Sequence, residues 1–151
     1  MIQFSSSGAT KSHAFTAQRD FAMIDFLKAM VVSQPFDVER FHVVFVDRKW
    51  AYIGDAPMGV GGAGGLSIRM RDLFATALSH RAHGILVAHN HPSGHCRPSR
   101  ADVVSTRRLE TVATALDIEL LDHLIFTKDA VFSMRAGALH EFKSSKSFFS
   151  R

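Results

Sequence analysis

Residues 84–88, Gly-Ile-Leu-Val-Ala, restrict the fold of this 151-residue chain most strongly, because none of them carries a polar side chain. A strand that is apolar on both faces has to be covered on both faces. The sequence therefore predicts a sheet with helices packed on it, and it places whatever follows residue 88 at the rim of that sheet. The next residues are His89, Asn90 and His91.

Composition limits the class of protein. The length suits one domain, and 46% hydrophobic residues suffice for a core. The longest apolar stretches, 43–46 and 85–88, are too short to span a membrane, and the N-terminus lacks a secretory signal pattern. We therefore expect no membrane partner. With one cysteine, Cys96, no internal disulfide can form, which favours a reducing cytoplasm. The net charge of +4 permits contact with nucleic acid without requiring it, since the basic residues are dispersed.

The pattern along the chain alternates helices and strands without an internal repeat, and it predicts a single α/β (α+β) domain. Phe21, Ile24, Leu27 and Val31 recur at helical spacing. The first half is predicted as a helix at 17–33 capped by Thr16, a hairpin of strands at 41–46 and 50–53, and a glycine-rich loop at 59–65.

The second half is predicted as a helix at 68–80 that starts at Ser67, the strand 84–88, a helix after Ser99, and a hairpin of strands at 119–126 and 130–134. The residues expected on the inner sides of the two helices are Leu73, Phe74, Ala77 and Leu78, then Val103, Leu109, Val112, Ala113 and Leu116. The expected boundaries are a flexible N-terminal segment at 1–16, the folded domain at 17–142 and a polar tail at 143–151.

His89, His91 and Asp102 have the residue types and the spacing of a metal site. Two residues apart in an extended stretch, the two histidines point to the same side. Asp102 returns to that place if Ser99 starts a helix, because Ser-x-x-Asp puts the aspartate in the first turn. Two neutral imidazoles and one carboxylate suit zinc, and three protein ligands leave a fourth position open for water. Because zinc lowers the pKa of bound water to about 7, this set predicts a hydrolase.

A hydrolase of this kind also needs a carboxylate as general base. The chain has four glutamates: Glu39, Glu110, Glu119 and Glu141. Glu110 lies about two turns along the predicted helix from Asp102, Glu119 opens a later strand, and Glu141 is near the polar tail. Glu39 stands at the entrance to the first strand, where a neighbouring strand end would bring it to the rim. Spacing alone does not decide among the four.

The order His-x-His, seven residues, Ser-x-x-Asp resembles the JAMM motif of the JAB/MPN metalloprotease superfamily. Longer blocks resemble one branch of it, the bacterial RadC family, across roughly residues 17–140. These blocks are His89–Gly94, Pro98–Ser99 with Asp102, Thr106–Leu109 and Leu121–Ile125.

The resemblance implies a role for each matching residue. Glu39 opens a run that ends at Asp47, as the family's upstream glutamate does, and would be the general acid and base. His89, His91 and Asp102 would be the ligands of one zinc ion per chain. Ser99 would be the hydroxyl that helps to stabilise the oxyanion. The implied fold is a twisted mixed sheet flanked by helices, of the cytidine-deaminase-like kind.

Two departures from the family concern DNA and substrate. Full-length RadC proteins generally begin with a helix-hairpin-helix region associated with DNA binding, and we expect none here, because too few residues precede Glu39. The stretch Asp55–Met58 and the glycines after it replace a more regular family stretch. Loops that face the substrate are where we expect this difference to matter.

Several of these residues also have a purely structural interpretation. Ser99 and Asp102 form a capping box whether or not a metal is present. His95 and Cys96 are interpreted as loop residues, since a fourth protein ligand would close the site. The pair Asp122 and His123 is interpreted as serving packing or a backbone contact.

Two classes of function remain open. The first is a zinc-dependent hydrolase that cleaves a peptide, isopeptide or related amide bond. The second is a repair-associated accessory or interaction module of the RadC family, with DNA or a repair complex as its partner. The residues do not identify the substrate, and they leave the oligomeric state open, a homodimer included.

Overall fold

The computed structural model of the protein describes residues 17–61 and 69–143, with side chains for residues 21–59 and 69–143. Within these ranges the chain forms three helices and six strands. In chain order they are α1 (Ala17–Val31), β1 (Glu39–Val46), β2 (Tyr52–Gly61), α2 (Met70–Ser79), β3 (Gly84–Asn90), α3 (Arg100–Ala115), β4 (Glu119–Phe126), β5 (Ala130–Ser133) and β6 (Ala138–Glu141). No helix in the described ranges is both long and apolar enough to cross a bilayer.

The strands form one mixed sheet in the order β2-β1-β3-β4-β5-β6. β1 is antiparallel to both β2 and β3, whereas β3 and β4 are parallel. Parallel neighbours need a crossover connection, and α3 provides it. The predicted fold class, a mixed sheet flanked by helices, is confirmed.

β3 is buried along its whole length, as its apolar sequence predicts. Its alternate residues belong to two separate cores. Leu86 and Ala88 pack with α1, whereas Ile85 and Val87 pack with α2 and α3. Side chains along a strand alternate between the two faces. His89 therefore lies on the face that α2 and α3 cover.

The ends of the helices differ from the prediction by a few residues. α1 ends at Val31, two residues early, and its predicted cap, Thr16, lies outside the described residues. α2 begins at Met70, so the predicted start at Ser67 also lies outside them. Leu78 and Leu116 are exposed rather than buried. Both lie at helix ends, Leu78 in the last turn of α2 and Leu116 directly after the last residue of α3.

Two strands are longer than predicted at the ends that matter for the site. β1 begins at Glu39 rather than residue 41, and β3 continues to Asn90 rather than ending at residue 88. Each strand supplies backbone partners for the additional residues of the other, because their antiparallel register pairs Phe41 with His89. Polar residues are thus held in the sheet by pairing, which a pattern of apolar residues does not reveal.

The prediction of a loop at 59–65 is wrong for residues 59–61, which are the last three of β2. β1 offers backbone partners as far as Glu39, which pairs with Gly61, and this pairing overrides the low strand propensity of glycine. The register shifts between Phe41 and His42, where Gly59 adopts a φ of 138°. Residues 62–65 lie outside the described residues.

The hairpin of β4 and β5 does not close the sheet as predicted. β5 ends at Ser133, and a further strand, β6, pairs with it in antiparallel register. β6 has four residues, three of them exposed, so it carries no hydrophobic periodicity that would have indicated a strand.

Candidate metal centre

His89 and His91 direct their imidazoles toward one point at the end of β3. Their Nε2 atoms lie 3.0 Å apart. His89 is 1% exposed and stacks on the ring of Phe41, with centroids 5.4 Å apart and planes within 3°. His91 follows the strand but stays beside β4, since its N–H donates to the carbonyl of Phe126 at 2.9 Å. The extended path thus carries both imidazoles to the same side.

Asp102 reaches the same point from the first turn of α3. Ser99 Oγ accepts a hydrogen bond from the Asp102 N–H at 3.1 Å, and Asp102 Oδ2 accepts one from the Ser99 N–H at 2.7 Å. The two carboxylate oxygens of Asp102 each lie 3.1 Å from a histidine, Oδ1 from His89 Nε2 and Oδ2 from His91 Nε2. The Asp102 side chain is therefore both a member of the capping box and a candidate ligand, and the hydrogen bonds of the cap fix its orientation.

Glu39 approaches from β1. It lies on the same face as Phe41, and its Oε1 is 3.9 Å from His89 Nε2. Because β1 and β3 pair at Phe41 and His89, the sheet itself brings this distant glutamate to the rim. Its side chain is 22% exposed, which leaves it accessible from outside the protein.

Asn90 holds the backbone on both sides of Glu39. Its Oδ1 accepts a hydrogen bond from the Arg40 N–H at 2.6 Å, and its Nδ2 donates to the Val38 carbonyl at 2.9 Å. Since alternate residues of β3 face opposite ways, Asn90 points away from the two histidines and continues the strand pairing with its side chain. Sequence reasoning assigned Asn90 no role. The only available signal was its position between the two histidines.

The donor atoms have the spacing that a small cation requires. His89, His91 and Glu39 offer ligand atoms within 4.8 Å of one another, so the group could hold a metal ion. Ligand atoms bound tetrahedrally at zinc-like distances are about 3.3 Å apart. The separations of 3.0 and 3.1 Å among His89, His91 and Asp102 are close to that value, whereas Glu39 is farther away. The spacing favours Asp102 as the third candidate ligand and leaves Glu39 beside the point where an ion would bind.

Each histidine has a partner for the ring nitrogen that faces away from this point. His91 Nδ1 donates to the backbone carbonyl of His95 at 2.9 Å. His89 Nδ1 lies 2.7 Å from Nε2 of His123, a buried residue of β4. Histidines that bind metals almost always have such an outer partner, which orients the ring. The interpretation of His123 as a packing or backbone-contact residue was therefore incomplete, because it contacts a candidate ligand directly.

The electrostatics of the cluster favour an ionised aspartate. Burial alone would raise the pKa of the Asp102 carboxyl, but hydrogen bonds from His89 and His91 outweigh it and hold the pKa below its usual range. The hydrogen bond to Asp102 raises the pKa of His91. Burial, reinforced by the charge of His89, lowers the pKa of His123 to about 3, so His123 is neutral at pH 7. A metal ion bound at this point would take the place of the proton between Asp102 and the two candidate ligand histidines.

The remaining singled-out residues lie around the site without entering it. His95 and Cys96 are in the loop between β3 and α3, and Cys96 is buried with its Sγ 3.3 Å from the carbonyl of Ile125. Asp122 does serve the backbone, since it accepts hydrogen bonds from the N–H groups of His123 and Arg135 at 2.7 and 3.0 Å.

Known proteins resemble this chain over most of its length. The family described as RadC-like JAB domain matches residues 18–139, which include Glu39 and the whole segment from His89 to Asp102. The chain belongs to this family. The RadC resemblance of the sequence blocks is thereby confirmed, and the six-stranded sheet is the fold of a RadC-like JAB domain.

The curated relatives of this RadC-like chain include proteins named UPF0758. One from Flavobacterium johnsoniae is 37% identical over 95 residues, which cover 63% of this chain and 42% of the relative. One from Syntrophomonas wolfei is 35% identical over 111 residues, covering 74% and 47%, and one from Pseudomonas fluorescens is 33% identical over 127 residues, covering 83% and 56%. The chain spans about half the length of the curated relatives that it matches.

Proposed function

We propose that this RadC-like domain is a zinc-dependent hydrolase that cleaves a peptide, isopeptide or related amide bond. The observation that carries the proposal is the convergence of two imidazole nitrogens and the Asp102 carboxylate, with the Glu39 carboxylate alongside. A set of two histidines and one carboxylate is typical of catalytic zinc sites, which keep a position open for water.

His89, His91 and Asp102 would hold the ion. The outer hydrogen bonds of the two histidines fix the planes of their rings, and the capping box fixes the carboxylate, so little ordering remains to be done when the ion binds. When bound, zinc lowers the pKa of a water molecule and polarises a substrate carbonyl.

Glu39 would move the proton in the hydrolysis. As the water oxygen bonds to the carbonyl carbon, the Glu39 carboxylate accepts a proton from that water. When the carbon–nitrogen bond breaks, Glu39 delivers the proton to the leaving nitrogen. Its position 3.9 Å from His89 Nε2, with part of the side chain accessible, suits a group that works beside the ligands.

Ser99 would stabilise the oxyanion that forms on the carbonyl oxygen. Its Oγ accepts the capping hydrogen bond from the Asp102 N–H, and a hydroxyl that accepts one bond can still donate another. Ser99 is exposed at the start of α3, so its hydrogen can reach a bound substrate. A donor placed there strengthens its bond as negative charge develops.

The test pairs Glu39→Gln with Glu110→Gln, a matched change at an exposed glutamate of α3. Each variant, loaded with zinc, is assayed against a library of peptide and isopeptide substrates. We expect Glu39→Gln to bind zinc as the wild type does, since the three ligands are intact. Its hydrolysis should fall by about 100- to 10,000-fold, the usual contribution of general acid–base catalysis. Glu110→Gln should match the wild type in both measurements.

Two results would contradict the proposal in different ways. Hydrolysis retained by Glu39→Gln would show that another carboxylate handles the proton. A zinc-loaded wild type that cleaves no member of the library would remove the hydrolase assignment itself.

A further inference from the structure

The orientation of His89 depends on a line of hydrogen bonds that the proposed chemistry does not use. His89 Nδ1 lies 2.7 Å from His123 Nε2, His123 Nδ1 lies 2.7 Å from Thr106 Oγ1, and Thr106 Oγ1 lies 2.7 Å from the backbone carbonyl oxygen of Asp102. The line begins at one candidate ligand and ends on the backbone of another. We call these three hydrogen bonds the His123 relay.

The direction of the His123 relay is set at its far end. A carbonyl oxygen only accepts hydrogen bonds, so the Thr106 hydroxyl has to donate its one hydrogen to Asp102. Thr106 Oγ1 then has only lone pairs to offer His123. The hydrogen between them must therefore be on His123 Nδ1.

The same reasoning continues to His89. His123 is buried and packs beside Phe41, so the neutral imidazole, with one hydrogen, is the favoured form. With that hydrogen on Nδ1, its Nε2 is an acceptor, and the hydrogen between the two histidines is on His89 Nδ1. The His123 relay thus places a hydrogen on His89 Nδ1 and leaves its Nε2, which faces His91 and Asp102, for the shared proton or for a metal ion.

We propose that Thr106 and His123 are positioning residues that fix the tautomer of His89, so that its Nε2 is ready to bind a metal ion. The inference rests on the proposed metal site and deepens it. His91 reaches the same state more simply, because its Nδ1 donates directly to a carbonyl, that of His95. The buried histidine obtains through three hydrogen bonds the tautomer that the loop histidine obtains through one.

Thr106→Val and Thr106→Ser are the matched variants that test the relay in the full chain. Valine keeps the shape of threonine but has no hydroxyl, so His123 Nδ1 loses its acceptor. His123 would then carry its hydrogen on Nε2 and donate it to His89, which moves the His89 hydrogen to Nε2. Serine keeps the hydroxyl, and it should restore the wild-type state. Thermal unfolding checks that both variants are folded.

Two measurements are made on each protein. Long-range nitrogen–proton NMR of the metal-free chain reports which nitrogen of His89 carries the hydrogen, with assignment from the spectrum of His89→Asn. Competition with a chromogenic chelator measures the affinity for zinc alone. We expect His89 to be protonated on Nδ1 in the wild type and in Thr106→Ser, and to shift toward Nε2 in Thr106→Val. Zinc affinity should fall by about 10- to 100-fold in Thr106→Val only.

The outcomes separate this inference from the proposed function. If the wild type and Thr106→Val show the same His89 tautomer, or the tautomer changes without a loss of zinc affinity, the relay does not set the metal site. If the wild type binds no zinc, the proposed function fails, and the tautomer comparison in the metal-free chain still decides the relay. A metal-free wild type in which His89 carries a hydrogen on Nε2 and none on Nδ1 overturns it.

Discussion

Two clusters of histidine and carboxylate side chains share strand β1 and differ in how their polar atoms are arranged. The rim cluster consists of Glu39, His89, His91 and Asp102. The edge cluster consists of His42, Tyr52 and Asp55, where β1 pairs with the outer strand β2. In the edge cluster His42 Nε2 lies 2.6 Å from Asp55 Oδ2, and the Tyr52 hydroxyl donates to Asp55 Oδ1.

The edge cluster is satisfied internally. Each oxygen of Asp55 has one partner, and the hydrogen bond from Tyr52, together with that from His42, outweighs burial and lowers the pKa of Asp55. The rings of His42 and Tyr52 both contact Phe26 edge-on. Such an arrangement stabilises the pairing of two strands and does not require an ion to satisfy its polar atoms.

The rim cluster cannot be satisfied in the same way. The Nε2 atoms of His89 and His91 face each other at 3.0 Å, and the Asp102 carboxylate lies against both. The Nδ1 atoms of the two rings already have hydrogen-bond partners outside the cluster. Like atoms that converge on one point need a proton or a cation between them. The two clusters contain similar residue types, so the comparison teaches that convergence, rather than composition, distinguishes a candidate ligand set from a structural pair.

The largest expected effect concerns Ser99, whose capping hydrogen bonds orient Asp102 of the rim cluster. We expect Ser99 to serve both stability and chemistry. Ser99→Ala removes the cap and the hydroxyl, and should lower the free energy of unfolding by about 1 kcal/mol. With a substrate from the library, kcat should fall by about 100- to 1,000-fold, because the oxyanion loses a donor. Ser99→Thr keeps both functions and is the control. A kcat unchanged in Ser99→Ala would reduce Ser99 to a helix cap.

The next effect compares the same substitution in the two clusters. Asp102→Asn removes a charged ligand, and we expect zinc affinity to fall by about 100-fold or more, since even partners outside the ligand set contribute about 10- to 100-fold. Asp55→Asn should leave the affinity unchanged. Chelator competition on both variants makes the measurement. If Asp102→Asn and Asp55→Asn bound zinc with equal affinity, the carboxylate of the rim cluster would be a structural group like that of the edge cluster and would not be a metal ligand.

The smallest effect is the complementary one, on stability. Asp55→Asn weakens the hydrogen bonds of the edge cluster, and we expect the free energy of unfolding of the metal-free protein to fall by about 1 kcal/mol. Urea unfolding measures it. A loss of zinc binding in Asp55→Asn, with the protein still folded, would break the distinction between the clusters.

The parts of the site that could be predicted follow from local rules. Alternation along a strand placed His89 and His91 on one side, and the Ser-x-x-Asp pattern placed Asp102 in the first turn of a helix. Glu39 depends on the register of β1 against β3, a contact between distant segments, and spacing alone left four glutamates open. The family resemblance singled it out, and its catalytic role stays a prediction.

What could not be predicted depends on contacts between segments far apart in sequence. His123 and Thr106 meet His89 only because β4 and α3 pack beside β3, and nothing in their own spacing indicates it. Asn90 likewise acts on the strand β1, 50 residues away from it in sequence. The strand at residues 59–61 exists because β1 offers a backbone to pair with, which outweighs the preference of glycine for loops.

Zinc content tests the central claim most directly. The wild type is purified without chelators, incubated with zinc, dialysed, and analysed for metal per chain, with Asp55→Asn and Asp102→Asn treated in parallel. The account predicts one zinc ion per chain in the wild type and in Asp55→Asn, and much less in Asp102→Asn. A wild type without stoichiometric zinc would contradict it.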